Sequence, residues 1–167
     1  MIDDRLRRIA SRVLDLCRAQ GLHIVTAESC TGGLVAGALT EIPGSSDVVE
    51  RGFVTYSNAA KTSMLGVPAA TLGAHGAVSR ETAEAMAQGA LAHSEAQLVV
   101  AITGIAGPSG GSPDKPVGLV HFAAAVRDGQ CLHREKRFGK IGRHKVRMQS
   151  VAEALHLLHE LAIGECA

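Results

Sequence analysis

The chain has 167 residues, 46% of them hydrophobic and 20% charged, with a formal net charge of +1. That length and balance suit one folded domain with a real core, filling residues 1–167, and exclude a disordered or polyionic chain. Aromatic residues make up only 2%, so the core is built from Ala, Val, Leu and Ile. Neither the overall charge nor the aromatic content suits a nucleic-acid binder. Cys17, Cys30, Cys131 and Cys166 are widely and irregularly spaced, unlike a zinc ribbon or a disulfide framework. No secretion signal opens the sequence, and no apolar run reaches the roughly 20 residues that span a bilayer. The expectation is a reduced, cytoplasmic protein with no membrane partner.

Residues 3–20 place Leu6, Ile9, Val13, Leu14 and Leu16 mostly on one face, the pattern of an amphipathic helix, which Gly21 ends. A short strand over 23–26 runs into the small-residue turn Ser29-Cys30-Thr31-Gly32-Gly33, and a helix follows over 31–41 until Ile42-Pro43-Gly44. Residues 48–56 read as a strand, 58–65 as a short helix closed by Gly66 and Pro68, and 79–93 as a helix capped by Ser79. The apolar run 98–103 is a strand of the kind buried on both faces. A Gly/Pro/Ser-rich loop over 104–116 leads to a hairpin, 117–126 and 130–138, turned at Asp128-Gly129. A long helix over 141–163 closes the chain. Strands alternate with helices and then two strands pair directly. The reading is an α/β fold: a three-layer α/β/α sandwich on a mixed, mostly parallel sheet with at least one antiparallel strand.

Ser29 stands at a strand-to-helix turn, where it is either a cap or a nucleophile. Cys30, Thr31, Gly32 and Gly33 beside it offer backbone N–H groups to an anion or to a carbonyl oxygen gaining charge. Cys30 is itself a rival nucleophile, since a thiol at a helix N-terminus can be activated. Lys61 falls in the first turn of its helix, where the dipole disfavours the ammonium and favours the neutral amine, a possible general base; the alternative is an exposed lysine. Tyr56, the single tyrosine, either relays a proton and orients Lys61 or ends a strand with its tip in water. The loop opened by Thr103, Gly104 and Gly107 follows a buried strand, where ligands of open α/β sheets bind. Arg143 and Arg147 lie four apart near the start of the last helix, either a phosphate clamp or a surface pair. They belong to a basic stretch with Arg134, Lys136, Arg137, Lys140 and Lys145, read either as an anion site or as a solvated face. The eight histidines show no metal-ligand pattern, and neither metal nor cofactor is expected.

The segments 27–33 (Ala-Glu-Ser-Cys-Thr-Gly-Gly), 52–58 (Gly-Phe-Val-Thr-Tyr-Ser-Asn), Lys61, 76–79 (Gly-Ala-Val-Ser), 104–108 (Gly-Ile-Ala-Gly-Pro) and 115–118 (Lys-Pro-Val-Gly) resemble, in order, the CinA C-terminal domain family. The resemblance spans about residues 5 to 160. Stand-alone members of that family are nicotinamide-nucleotide amidases, while the larger two-domain members carry an N-terminal domain that has no counterpart here. The resemblance implies deamidation of nicotinamide mononucleotide to the acid mononucleotide and ammonia. It places the family's serine on Ser29, its lysine on Lys61, its tyrosine on Tyr56, and its phosphate-associated arginine on Arg143, although Gly142 stands where an acidic residue is usual.

Together these readings give a serine–lysine amidohydrolase acting on a small nucleotide, with Lys61 as base, the 30–33 turn as oxyanion site and no cofactor. A homo-oligomer is expected, because sites in small α/β domains are often completed by a symmetry mate. The competing reading is a non-catalytic nucleotide-binding or regulatory module linked to competence or DNA damage. The state of Lys61 separates the two, since a phosphate site tolerates a charged lysine and the amidase needs a neutral one.

Overall fold

A computed structural model describes residues 1–164; of the residues discussed above, Cys166 lies outside them. In chain order the elements are α1 (Asp4–Gln20), β1 (Ile24–Glu28), α2 (Leu34–Thr40), a 3-10 turn (Ser45–Asp47), β2 (Val49–Val54), α3 (Asn58–Leu65), α4 (Ala69–His75), α5 (Arg80–Ala92), β3 (Leu98–Gly104), β4 (Leu119–Val126), β5 (Cys131–Arg137) and α6 (Arg143–Ile163). One five-stranded sheet has the order β2-β1-β3-β4-β5. β1 pairs in parallel with β2 and β3, while β4 is antiparallel to both β3 and β5. Four strands therefore share one direction and β4 alone opposes them, the mixed, mostly parallel sheet that the alternation of elements predicts.

The period-two alternation of the strands splits the core into two layers. Ile24, Leu98, Val100, Ile102, Val120 and Phe122 pack with the apolar faces of α1, α2 and α6. Val25, Ala27, Val99, Ala101 and Ala123 face the other way, toward the small residues Ala83, Ala87 and Ala90 of α5 and toward Leu65 of α3. With so few aromatics the second layer is thin, and α3 lies close on α5: a Cβ on Gly89 would collide with the backbone carbonyl of Leu65.

Helix ends follow their caps. Asp3 accepts from Leu6 N–H, Ser57 from Ala60 N–H and Ser79 from Thr82 N–H. α2 begins at Leu34 rather than at residue 31, because Gly32 and Gly33 take left-handed conformations with φ of 58° and 96° and hold the turn open. β1 runs two residues beyond its expected end, since Glu28 still pairs with both Val54 and Ile102. α4 has no counterpart in the sequence reading: none of its residues is buried, so it carries no apolar stripe to be read.

Candidate active site

The site grows out of the carboxyl ends of three neighbouring strands. Past the last paired residues of β1 and β3, Ser29 N–H donates to Ile102 O at 2.9 Å; on the other side, Thr55 N–H donates to Glu28 O at 2.8 Å. Ser29, Thr55 and Thr103 thus come out side by side on one rim. The chain leaves β1 toward β2 on one side while β3 lies on the other, the arrangement that opens a crevice above a parallel sheet.

α3 turns back over this rim from its cap at Ser57, and Lys61, one turn in, points down into it. Its Nζ lies 3.0 Å from Ser29 Oγ and 2.9 Å from Thr55 O. Lys61 is 1% exposed and Ser29 8%. Among the described residues no carboxylate pairs with Lys61. Burial pushes its proton affinity down. Two N–H bonds and one lone pair on a neutral amine match the two contacts: a donor to the Thr55 carbonyl and an acceptor for the serine proton.

Burial drives the neighbouring Cys30 thiol up to about 12, so it stays protonated and inert at neutral pH. The backbone N–H of Cys30 has no protein partner among the described residues. That of Gly32 does, donating to Ser29 O at 3.0 Å. Thr31, Gly32 and Gly33 stand behind the cavity wall rather than on it. The positive end of α2 is also already occupied: the buried Glu28 carboxylate accepts from Val35 N–H at 2.8 Å and Ala36 N–H at 3.1 Å. An external anion at that helix end, as the sequence suggests, finds its place taken.

The cavity holds about 280 Å³, near the lower end for small-molecule sites. Ser29, Cys30, Tyr56, Asn58 and Lys61 form one wall; Thr103, Gly104, Gly107 and Gly110 form another. Ala77 and Val78 close it, held by the bond from Thr103 Oγ1 to Ala77 O at 2.7 Å. The N–H groups of Ala106 and Gly107 have no protein partner among the described residues. Arg143 stands at the mouth, donating to Gly107 O at 3.0 Å and to the Tyr56 hydroxyl at 2.7 Å. Tyr56 is 58% exposed; its hydroxyl is bonded to Arg143, not to Lys61.

Residues 6–162 match the family described as the CinA C-terminal domain. The chain belongs to the CinA C-terminal domain family. Among its relatives, the nicotinamide-nucleotide amidohydrolase PncC of Escherichia coli K12 is 49% identical over 158 residues, 95% of each chain. The protein of the same name from Pseudomonas putida is 48% identical over 158 residues, 95% of this chain and 98% of its own. The crystal structure of the competence/damage inducible protein CihA from Agrobacterium tumefaciens superposes with a TM-score of 0.95 at 55% identity, covering 96% of this chain and 98% of that one.

In this CinA domain Arg143 and Arg147 do not form a joint clamp. Arg147 donates to the carbonyls of Cys30 at 3.1 Å and Thr31 at 3.2 Å. The rest of the basic stretch is largely spent on ion pairs: Arg134 with Glu153 and Glu160, Lys136 with Glu153, and Arg137 with Glu135. Sequence reasoning gave no role to Glu28, Thr55 or Asn58. All three sit inside the segments that carry the family resemblance; Glu28 and Thr55 gain their roles from groups six to eight residues further along the chain, and Asn58 from its place on the cavity wall. Among the described residues no group of three or more His, Cys, Asp or Glu side chains is placed to hold a metal, and no helix is long and apolar enough to cross a membrane.

Proposed function

We propose that this chain is a nicotinamide-nucleotide amidase, hydrolysing the carboxamide of nicotinamide mononucleotide to the carboxylate and ammonia through a serine–lysine mechanism. The observation that carries the reading is the 3.0 Å contact between Ser29 Oγ and a buried Lys61 that has no carboxylate partner among the described residues. Neutral Lys61 takes the Ser29 proton as Oγ attacks the carboxamide carbon. The Cys30 N–H, unpartnered beside Ser29 among the described residues, donates to the developing oxyanion, a contribution of about 2.7–4 kcal/mol per donor in other enzymes. Collapse breaks the C–N bond; Lys61 returns the proton to the departing nitrogen, and ammonia leaves. Lys61 then takes a proton from water, which attacks the acyl-serine, and Ser29 leaves reprotonated with the acid mononucleotide as product.

Arg143 uses only part of its five-donor guanidinium on Gly107 and Tyr56, and its remaining N–H groups receive the substrate phosphate. Tyr56 orients that guanidinium rather than relaying protons. The substrate class is supported by the relatives named nicotinamide-nucleotide amidohydrolase at 48–49% identity. A phosphate-binding module would have no use for an uncharged amine buried beside a hydroxyl.

The test is ammonia release from nicotinamide mononucleotide. Ser29→Ala abolishes it with the fold retained, and Lys61→Arg, which cannot shed its charge, lowers kcat at least ~100-fold. Activity surviving in Ser29→Ala removes the serine from the mechanism.

A further inference from the structure

Behind the Cys30 amide runs a chain of hydrogen bonds that starts on a charge. Arg147 Nη2–H donates to the Thr31 carbonyl at 3.2 Å. The N–H of that same peptide group belongs to Gly32, and it donates to the Ser29 carbonyl at 3.0 Å. The N–H of the Ser29–Cys30 peptide group is the Cys30 amide, which has no protein partner among the described residues and belongs to a residue that lines the cavity. C=O and N–H point opposite ways across each planar trans peptide, so fixing one end aims the other. The guanidinium, together with the Leu34 N–H that shares the Thr31 carbonyl, therefore helps to set the Thr31–Gly32 and Ser29–Cys30 peptide planes, and its charge polarises each bond of the chain in the same sense.

The Thr31 carbonyl is shared, since Leu34 N–H also donates to it at 3.1 Å. Arg147 also binds the Cys30 carbonyl through Nε, at 3.1 Å. Among the described residues it is the single side chain that donates to a carbonyl of the turn. Among the described residues the buried Thr31 hydroxyl has no partner and supplies no brace. Gly32 lies bare against the arginine: a Cβ there would sit 3.3 Å from Nη2.

Resting on the serine mechanism above, we propose that Arg147 is a positioning residue for the oxyanion site, acting through the Thr31–Gly32 and Ser29–Cys30 peptide groups on the Cys30 N–H. It is one turn from Arg143 on the same helix, yet the two serve different ends of the reaction: Arg143 the ground-state phosphate, Arg147 the transition state.

The experiment compares Arg147→Met and Arg147→Lys with the parent protein and with Ser29→Ala. In Arg147→Met, kcat for nicotinamide mononucleotide falls about 10-fold or more, short of the 10²–10³ lost when a donor is deleted outright, while KM stays within about twofold. A boronic acid analogue of the substrate, which mimics the tetrahedral adduct, loses affinity by the same factor, and binding of the acid mononucleotide product does not change. Arg147→Lys keeps the charge and part of the bonding and recovers part of kcat, which separates this role from one in folding. If the Met variant does not fold, Lys alone decides: kcat reduced at unchanged KM supports the proposal. Unchanged kcat, or a raised KM at unchanged kcat, overturns it. Should Ser29→Ala retain activity, the parent mechanism falls instead; an inactive Ser29→Ala beside a fully active Arg147→Met defeats this proposal alone.

Discussion

At the scale of single residues, Lys61 sets the pH behaviour. Its ammonium is lost at lower pH than usual because burial disfavours the charge. In the proposed mechanism the neutral amine is the active form, so kcat/KM is expected to rise with pH through the lowered value and then level off. Stability carries the same signature. Between that lowered value and the ordinary 10.5 the unfolded chain binds a proton that the folded protein does not, so stability climbs with pH across this window. Lys61→Met has nothing to titrate there. Urea unfolding at stepped pH gives the rise for the parent protein and removes it from the variant; parallel profiles would show that Lys61 is charged in the folded state.

At the scale of elements, the contact of α3 with α5 determines whether Lys61 reaches Ser29. The two helices approach so closely at Gly89 that a Cβ has no room beside the Leu65 carbonyl. Alanine is the better helix former by about 1 kcal/mol, and on an exposed helix it would stabilise. Here the clash reverses the sign. Gly89→Ala is expected to destabilise by about 1–3 kcal/mol, the usual cost of overpacking. Because α3 must shift to relieve the clash, kcat falls as well while KM changes less. Denaturant unfolding with steady-state kinetics checks both; a variant more stable than the parent would mean that the helices separate freely.

At the scale of the whole molecule, substrate binding draws on residues far apart in sequence, and binding free energy appears as stability. In Ser29→Ala, which leaves the substrate intact, nicotinamide mononucleotide at 100 times its Kd adds about 2.7 kcal/mol. For a domain of this size that raises Tm by roughly 5–11 °C. Adding Arg143→Ala erases most of the shift at the same concentration, if the guanidinium holds the phosphate. Much of the fold is legible in the sequence. Gly66 and Pro68 announce the end of α3, Ser79 the start of α5, and the apolar run at 98–103 announces β3. α4, with no buried residue, announces nothing. The candidate site is legible in its parts and not in its joints. A turn rich in glycine and a lysine in a first helical turn are visible locally, but the sequence separation of 32 between Ser29 and Lys61 hides their contact. The four-residue spacing of Arg143 and Arg147 predicts a shared direction, yet long side chains one turn apart reach separate acceptors.

The sheet has an open border at β5, where a row of amides and carbonyls lacks a neighbouring strand among the described residues. Such a border invites another chain to add itself and start a fibre. Here it carries Arg134, Glu135, Lys136 and Arg137 in succession, and Arg134 and Lys136 are anchored to α6 through Glu153 and Glu160. Charges fixed along the margin make a docking strand give up their hydration, so the molecule guards itself against aggregation at the side farthest in strand order from β2.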